Sequence, residues 1–156
     1  MNGVLLRLEV ATVALDAGDL AQLREKDVLV LDGIEPADGE FPVAGAAVVR
    51  IDGFPGFFSA RWSVRERRVW AALESWTDND ESRESPAFAA VWIATVVWPF
   101  AWPQPGQTLD FGLCRLPAVL LVGPAGPFAE ASTVVIEDMA GARVEKLLAV
   151  PAWRRE

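Results

Sequence analysis

Short apolar runs, some alternating with polar residues and some continuous, predict β-strands along most of this chain. Residues 4–15 alternate loosely between apolar and polar side chains, which is typical of a half-buried strand. Leu20 and Leu23 follow at helical spacing and predict a short helix. Residues 28–31 (VLVL) form a compact apolar run and predict a buried strand. The beginning of the chain therefore predicts strand, short helix and strand.

The rest of the chain predicts further strands over residues 43–51, 57–62, 69–74, 107–111 and 118–122. Turn signals separate the first two of these runs. The charged segment SVRERR predicts the tip of a hairpin with arms at 57–62 and 69–74. Residues 131–148 (ASTVVIEDMAGARVEKLL) predict a strand, a turn on Met139-Ala140-Gly141 and a second amphipathic run. Residues 43–73 carry a looser version of that motif, so the sequence predicts two small β domains.

Residues 77–86 (TDNDESRESP) are the clearest change of composition, and they predict a linker because they are acidic, rich in Ser and free of apolar side chains apart from proline. Asp78, Asp80 and Ser82 match the first oxygen ligands of a calcium loop. The sixth position is Arg83 instead of Gly, however, and the twelfth is Ala89 instead of Glu. The sequence does not support a calcium site.

Residues 87–102 (AFAAVWIATVVWPFAW) are the most apolar stretch of the chain. The stretch is shorter than the roughly 20 residues that a membrane-spanning helix needs, and it contains Pro99. Its centre is rich in β-branched Val and Ile, which favours a strand buried on both faces.

Composition narrows the function classes. The chain of 156 residues has a formal net charge of −8, and neither half is basic, so a nucleic-acid footprint is absent. The single Cys114 excludes an internal disulfide and fits a reducing compartment. The N-terminal residues have polar side chains inside their apolar run, which is not the pattern of a signal peptide.

The sequence contains no His, which removes imidazole general bases, the serine and cysteine triads that depend on His, and imidazole metal ligands. One Cys cannot build a structural zinc site, and no glycine-rich nucleotide-binding motif occurs. We therefore expect no catalytic residues, no metal and no cofactor. A hydrolase that uses two carboxylates is a weaker alternative. The acidic pairs Glu137-Asp138 and Asp78/Asp80 lie beside a turn or in the linker, where surface charge explains them.

A local cluster of basic residues is interleaved with Trp. This pattern is typical either of a surface that binds an acidic partner or RNA, or of a charged hairpin tip that protects a sheet edge. The negative net charge of the chain favours the hairpin tip. The members of the cluster are Arg61, Arg65, Arg67 and Arg68, with Trp62 and Trp70.

The order of these segments resembles the SPOA (surface presentation of antigens) domain of type III secretion ring proteins and of the flagellar motor switch. Residues 20–23 (LAQL) match its short L-x-x-L helix, and residues 26–31 (KDVLVL) match its G-D-V-L-x-L strand, with Lys26 in place of the common Gly. In the second half, residues 105–111, 118–123 and 133–144 are similar to its later strands, with Ala142 in place of Val. The second half lacks the L-x-x-L helix.

The resemblance implies a mainly β protein made of two small intertwined SPOA-type β domains, with a short helix in the first. The implied boundaries are 1–75 for the first domain, 76–86 for an acidic linker and 87–156 for a second, shortened domain. It implies a non-catalytic scaffold of a type III secretion cytoplasmic ring that binds other ring subunits or the ATPase regulator. The chain would lie at the cytoplasmic face of a membrane complex, without spanning the membrane or binding nucleic acid, and could form homo- or hetero-oligomers through SPOA pairing.

In flagellar relatives of this family, an apolar patch on the valine-rich strand receives the tail of the ATPase regulator. The resemblance gives this partner-binding role to Val134, Val135 and Ile136, with Val48 and Val49 as looser counterparts. Two alternatives remain open. One is a component of the flagellar motor switch, and the other is a β-barrel that binds a small apolar ligand in a cavity lined by Trp92, Trp98 and Trp102.

Overall fold

The computed structural model describes residues 3–15, 17–78, 88–99, 101–123 and 126–148. These residues form a mainly β protein, as the sequence predicts. Its ten strands belong to one antiparallel sheet. The short helix α1 (Ala17–Gln22) lies between the first two strands, and Leu20 and Leu23 at its end are buried. The strands are β1 (Val4–Ala14), β2 (Val28–Val30), β3 (Ala44–Ile51), β4 (Phe57–Arg65), β5 (Arg68–Thr77), β6 (Phe88–Trp98), β7 (Thr108–Leu113), β8 (Ala118–Gly123), β9 (Gly126–Ile136) and β10 (Met139–Leu147).

Alternation along the strands decides which side chains form the core. In β10, Ala140, Ala142 and Val144 are buried on one face, and Met139 and Arg143 are exposed on the other. Successive side chains of a strand point to opposite faces, so each strand contributes an inner and an outer set. Every strand except β2 contributes inward-facing side chains to a single cluster of buried hydrophobic residues. The cluster includes side chains from both halves of the chain.

The order of the strands in the sheet has an internal two-fold relation. The order is β2-β10-β9-β8-β6-β1-β3-β4-β5-β7. Replacing β1–β5 by β6–β10 in turn, and the reverse, returns the same order read backwards. The relation is centred on β1 and β6, the two 11-residue strands that pair antiparallel along their length. Each half of the chain therefore has the same strand arrangement.

The two halves exchange a strand. β2 of the first half pairs with β10 of the second, and β7 of the second half pairs with β5 of the first. The backbone contacts before the exchanged strands are also equivalent: the Lys26 N–H donates to Val144 O at 2.6 Å, and the Gly106 N–H donates to Leu73 O at 2.8 Å. The halves are consequently intertwined and do not pack as separate bodies.

The turns that precede the exchanged strands also match each other. In residues 24–27 and in residues 104–107, the backbone N–H of the fourth residue donates to the carbonyl of the first at 3.2 Å. The side chain of the fourth residue returns the contact, since Asp27 accepts from the Arg24 N–H at 2.9 Å and Gln107 from the Gln104 N–H at 2.7 Å. The third residue has a positive φ in both turns, 76° at Lys26 and 93° at Gly106.

Two further pairs of local features repeat between the halves. Two-residue turns with both φ angles positive join β4 to β5 at Glu66-Arg67 and β9 to β10 at Glu137-Asp138. Positive φ at both central residues is the type I′ geometry that fits the twist of a tight hairpin. A β-bulge then places one extra residue in each second arm, Glu74 in β5 and Glu145 in β10.

Several sequence predictions need correction. The turn predicted at Met139-Ala140-Gly141 is wrong, because the chain turns at Glu137-Asp138 and Gly141 lies inside β10. The run 28–31 is not a buried strand: β2 is at one end of the sheet, and Val28 and Val30 are 42% and 51% exposed. Val28 and Val30 point to the same face of β2, and that face is open to solvent.

The strand predicted within residues 87–102 is confirmed as β6, which ends at Trp98. Burial on both faces holds only for its first part, where Ala90 and Val91 are buried in succession, whereas Val97 is 52% exposed. β5 continues to Thr77, so residues 76 and 77 of the predicted linker belong to a strand, and residues 79–87 lie outside the described part of the chain. Among the described residues, no helix has the length and apolar character needed to cross a membrane.

Candidate partner-binding surface

The outer face of β2, β9 and β10 carries an apolar patch. We define this apolar patch by five side chains that share that face: Val28, Val30, Val134, Ile136 and Met139. Four of them are among the ten large hydrophobic side chains that are exposed in the described part of the chain, and Val134 is half-buried. Scattered exposed apolar residues are normal at a protein surface, but a contiguous group marks a contact surface.

Gly141 forms the floor of the apolar patch. It pairs with Val134 on one side and with Val30 on the other. A Cβ atom at this position would lie 3.2 Å from the side chains of both Val28 and Val134, and 3.2 Å from the carbonyl oxygen of Leu29. The flanking valine side chains therefore close over the backbone of Gly141, which is itself buried.

The structure places the sequence-predicted binding residues on different faces. Val134 and Ile136 belong to the apolar patch, whereas Val135 pairs with Ala140 on the inner face of the same strand. Val48 and Val49 lie in β3, whose counterpart in the sheet order is β8 and not β9. Val49 is fully buried, so it contributes to the core.

Sequence reasoning missed three members of the apolar patch: Val28, Val30 and Met139. Val28 and Val30 are separated from β10 by more than a hundred residues and reach it only through the strand exchange. The signal in the sequence is the V-x-V spacing of residues 28–30, which places both side chains on one face of a strand. The sequence predicts Met139 in a turn, whereas it is the first residue of β10.

The first half has an equivalent outer face on β4, β5 and β7, which we call the tryptophan face. Trp70 occupies the place of Gly141, because it pairs with Ser63 and Asp110 as Gly141 pairs with Val134 and Val30. Arg65 covers Trp70, with its guanidinium carbon 5.4 Å from the centre of the indole ring. A cation over an indole face is attracted by the electron density of the ring.

An ion pair between Arg68 and Asp110 lies beside Trp70 on the tryptophan face. The Arg68 Nε donates to both carboxylate oxygens of Asp110, at 2.9 Å and 3.1 Å. These hydrogen bonds lower the pKa of Asp110 below its ordinary value, and the backbone N–H of Gly112 adds to the effect. In the second half the corresponding residues are Met139 and Val30, so the ion pair is replaced by an apolar contact surface.

The basic cluster predicted from the sequence is divided between the core and the surface. Trp62 is 1% exposed and belongs to the core, so only Trp70 shares a face with the arginines. Arg65 and Arg67 are exposed at the hairpin tip, and Arg61 lies 3.8 Å from the carboxylate of Glu74. The arrangement is that of a charged hairpin tip next to one half-buried indole.

An open groove of about 700 Å³ lies between β6, β7, β8 and β9. Trp92 lines it, together with the carboxylates of Glu130 and Glu145, which are both exposed. Hydrogen bonds from Ser132 and Arg143 lower the pKa of Glu145. Glu145 therefore does not have the raised pKa that the general acid of a two-carboxylate hydrolase needs.

The other two tryptophans of the predicted ligand cavity do not line this groove. Trp102 lies in an aromatic cluster, with its ring centre 4.8 Å from that of Phe54 and 5.8 Å from that of Trp76. The Trp98 indole N–H donates to the Ala101 carbonyl at 3.1 Å. The groove is therefore lined by one of the three tryptophans and by several polar groups, which is a poor match to an apolar ligand site.

A buried ion pair ties the central strands together. The Arg50 Nε donates to Glu9 Oε1 at 2.8 Å, and both residues are less than a tenth exposed. The Arg50 guanidinium also lies 5.2 Å from the ring centre of Phe57. This pair links β1 to β3.

Among the described residues, no group of three or more acidic or Cys side chains is arranged to hold a metal ion. The apolar patch and the tryptophan face thus remain the best-defined candidate surfaces of the chain, and neither presents a reactive group. No protein-family model matches the sequence, and no curated protein matches it at a significant level.

Proposed function

We propose that this chain is a non-catalytic assembly module made of two intertwined SPOA-type β domains. It acts as a scaffold in the cytoplasmic ring of a type III secretion system, at the cytoplasmic face of the membrane complex. Its partners are other ring subunits or the ATPase regulator. The observation that carries this proposal is the strand exchange between two halves with the same strand arrangement.

The topology supports the proposal because the SPOA resemblance implies small β domains that pair by intertwining strands. The short helix α1 and the strand β2 follow β1 in the order that the resemblance implies. The turn at Lys26 has the same backbone geometry as the turn at Gly106, which fits the substitution of Lys for the common Gly of the motif.

The apolar patch supports an assembly role. Val134 and Ile136, which the resemblance gives a partner-binding role, lie on an exposed outer face next to three further apolar side chains. Exposed apolar groups of this kind are covered in a complex, because water is released when they are buried. The patch also has no nucleophile, acid or metal ligand, which fits a binding surface.

The experiment is affinity capture of the tagged chain in cytosol of its source, followed by mass spectrometry of the retained proteins. Ile136→Glu places a charge in the apolar patch and should abolish capture of ring subunits and of the ATPase regulator. Val97→Glu is the matched control, because Val97 is as exposed as Ile136, 52% against 51%, but lies on β6 outside the patch.

The proposal is wrong if the wild-type chain retains no ring component, or if Ile136→Glu and Val97→Glu retain the same set. Recovery of motor-switch proteins in place of secretion proteins would move the chain to the flagellar system. Recovery of a bound small molecule alone would replace the assembly role by ligand binding.

A further inference from the structure

We propose that the occupant of the apolar patch is the tryptophan face of a second copy of this chain, so that copies associate head to tail. This inference rests on the proposed function, since it names the partner of the same surface. It follows from a comparison of two equivalent places in one molecule, which differ in charge and in the type of side chain they present.

The two hairpin tips next to these surfaces carry opposite charge. Residues 65–68 contain three Arg and one Glu, which gives a formal charge of +2. Residues 136–139 occupy the equivalent turn and contain Glu137 and Asp138 as their only charged residues, which gives −2. The charged side chains at the centre of each turn are exposed. Opposite potentials on two surfaces favour their association and select its orientation.

The two surfaces also differ in their side chains. The tryptophan face presents the half-buried indole of Trp70 under the Arg65 guanidinium, whereas the apolar patch presents aliphatic side chains around Gly141. The apolar patch has no room for an inserted ring, because a Cβ at Gly141 would already lie 3.2 Å from Val28 and Val134. The proposed contact is therefore one between two flat surfaces, in which the aliphatic side chains of the patch cover Trp70 and Arg65.

Charge favours this arrangement over the pairing of like surfaces. Patch-to-patch pairing would place two acidic tips in one interface, and pairing of two tryptophan faces would place two basic tips in one interface. Like charges in one interface oppose association. The head-to-tail arrangement joins an acidic tip to a basic tip, and it also covers the apolar patch.

The positions of the two surfaces make this association repetitive. The apolar patch lies at the β2 end of the sheet order and the tryptophan face lies at the β7 end. A copy that binds through one end leaves its other end available. Head-to-tail contacts of this kind close into a ring when the rotation between copies allows it, and otherwise continue as a filament.

The test is sedimentation velocity of the purified full chain over a wide concentration range, with two charge-reversed variants. Variant one carries Arg65→Glu and Arg67→Glu, which makes both tips acidic. Variant two carries Glu137→Arg and Asp138→Arg, which makes both tips basic. Arg67 and Asp138 have similar backbone angles, φ 65° and 63°, so a charged side chain of either sign is compatible with the turn.

We expect the wild-type chain to associate with increasing concentration, and each variant alone to associate about tenfold more weakly or not at all. An equimolar mixture of the two variants should recover the wild-type association, because every contact between unlike variants again joins an acidic tip to a basic tip. Circular dichroism of each variant verifies that the sheet is intact, and recovery in the mixture excludes loss of folding as the cause.

A wild-type chain that stays monomeric overturns this inference, as does association that the single variants retain. If that result is found while capture of ring components still depends on Ile136, the occupant of the patch is another protein and the proposed function stands. If both the association and the dependence on Ile136 are absent, both proposals fail.

Discussion

The apolar patch and the tryptophan face occupy equivalent places in the two halves, yet the first is aliphatic and the second carries an indole and charged side chains. One has Gly141 between exposed valines, and the other has Trp70 under Arg65 and beside the Arg68–Asp110 ion pair. The strands that carry them pair in the same way, turn in the same way and have a bulge at the same place. The two surfaces differ in the side chains that point outward.

This difference shows which positions the fold constrains. The inner faces keep small or apolar side chains at matching places, such as Ala71 and Ala142, which are both fully buried. The outer faces are free to diverge because the core does not depend on them. Two copies of one arrangement can therefore hold a common fold while presenting two different contact surfaces.

The largest expected effect tests whether the two exchanged strands contribute equally to stability. Leu109 of β7 is fully buried, whereas its counterpart Leu29 of β2 is only partly buried. Leu109→Ala should cost about 2–5 kcal/mol, because it removes core contacts and leaves a cavity. Leu29→Ala should cost about half of that or less. Urea denaturation followed by circular dichroism measures both changes in the free energy of unfolding.

If the two substitutions lower the free energy of unfolding equally, the two exchanged strands contribute equally to stability and this prediction is wrong. A conservative control is Leu109→Met, which keeps the volume of the side chain and should cost less than about 1.5 kcal/mol. If that variant is as damaging as Leu109→Ala, the loss does not arise from the cavity.

The sequence predicts most strands because their patterns are local. The alternation of residues 4–15 and the short helix before residue 23 depend only on neighbours in the chain, and β1 and α1 lie where the sequence predicts them. The sequence also predicts the hairpin β9–β10, but it predicts the turn at residues 139–141. Glycine usually marks a turn, whereas here the turn is made by Glu137 and Asp138 at positive φ, which acidic residues adopt less often than glycine.

The candidate surface was predictable only in part. The valine-rich run identified Val134 and Ile136, because both lie on one short segment. Val28 and Val30 join them through the exchanged strand, and pairing between distant segments leaves no local pattern. The exposure of β2 is not a local property either: its apolar sequence indicates burial, whereas the outer face that carries Val28 and Val30 is open to solvent.

The next prediction concerns the equivalent turns before the exchanged strands. Lys26 and Gly106 both have positive φ, which costs a non-glycine residue about 1–2 kcal/mol. Lys26→Gly should stabilise the chain by up to about 1 kcal/mol, because part of the relief is offset by the greater freedom of glycine in the unfolded state. Gly106→Ala should destabilise it by about 1–2 kcal/mol. Thermal unfolding measures both shifts.

The two turn variants check each other, since they change the same backbone geometry in opposite directions. The carbonyls of Val144 and Leu73 accept from the backbone N–H groups of these residues, so both substitutions keep the hydrogen bonds. If Lys26→Gly destabilises the chain, the Lys26 side chain makes a contact that outweighs the backbone strain, and the turns are not energetically equivalent.

The smallest expected effect concerns the ion pair that distinguishes the tryptophan face. The Arg68 hydrogen bonds lower the pKa of Asp110 below 3.8, so its contribution to stability is present above that pH and is lost as the pH falls through the folded-state pKa. Both side chains are about two-fifths exposed, which limits the effect of Asp110→Asn at pH 7 to less than about 1 kcal/mol. The difference between the two proteins should disappear at low pH.

A carboxylate placed at the equivalent position of the other half completes this comparison. Val30 pairs with Gly141, so its diagonal neighbours on β10 are Met139, which takes the place of Arg68, and Arg143, whose guanidinium already binds Glu145 at 3.0 Å. The effect of Val30→Asp on stability should therefore not become more favourable as the pH rises through 3.8, which is the reverse of the Asp110 behaviour. Urea denaturation between pH 2 and pH 7 distinguishes the two, and parallel pH profiles would show that the charge environments of the two faces are alike despite their different residues.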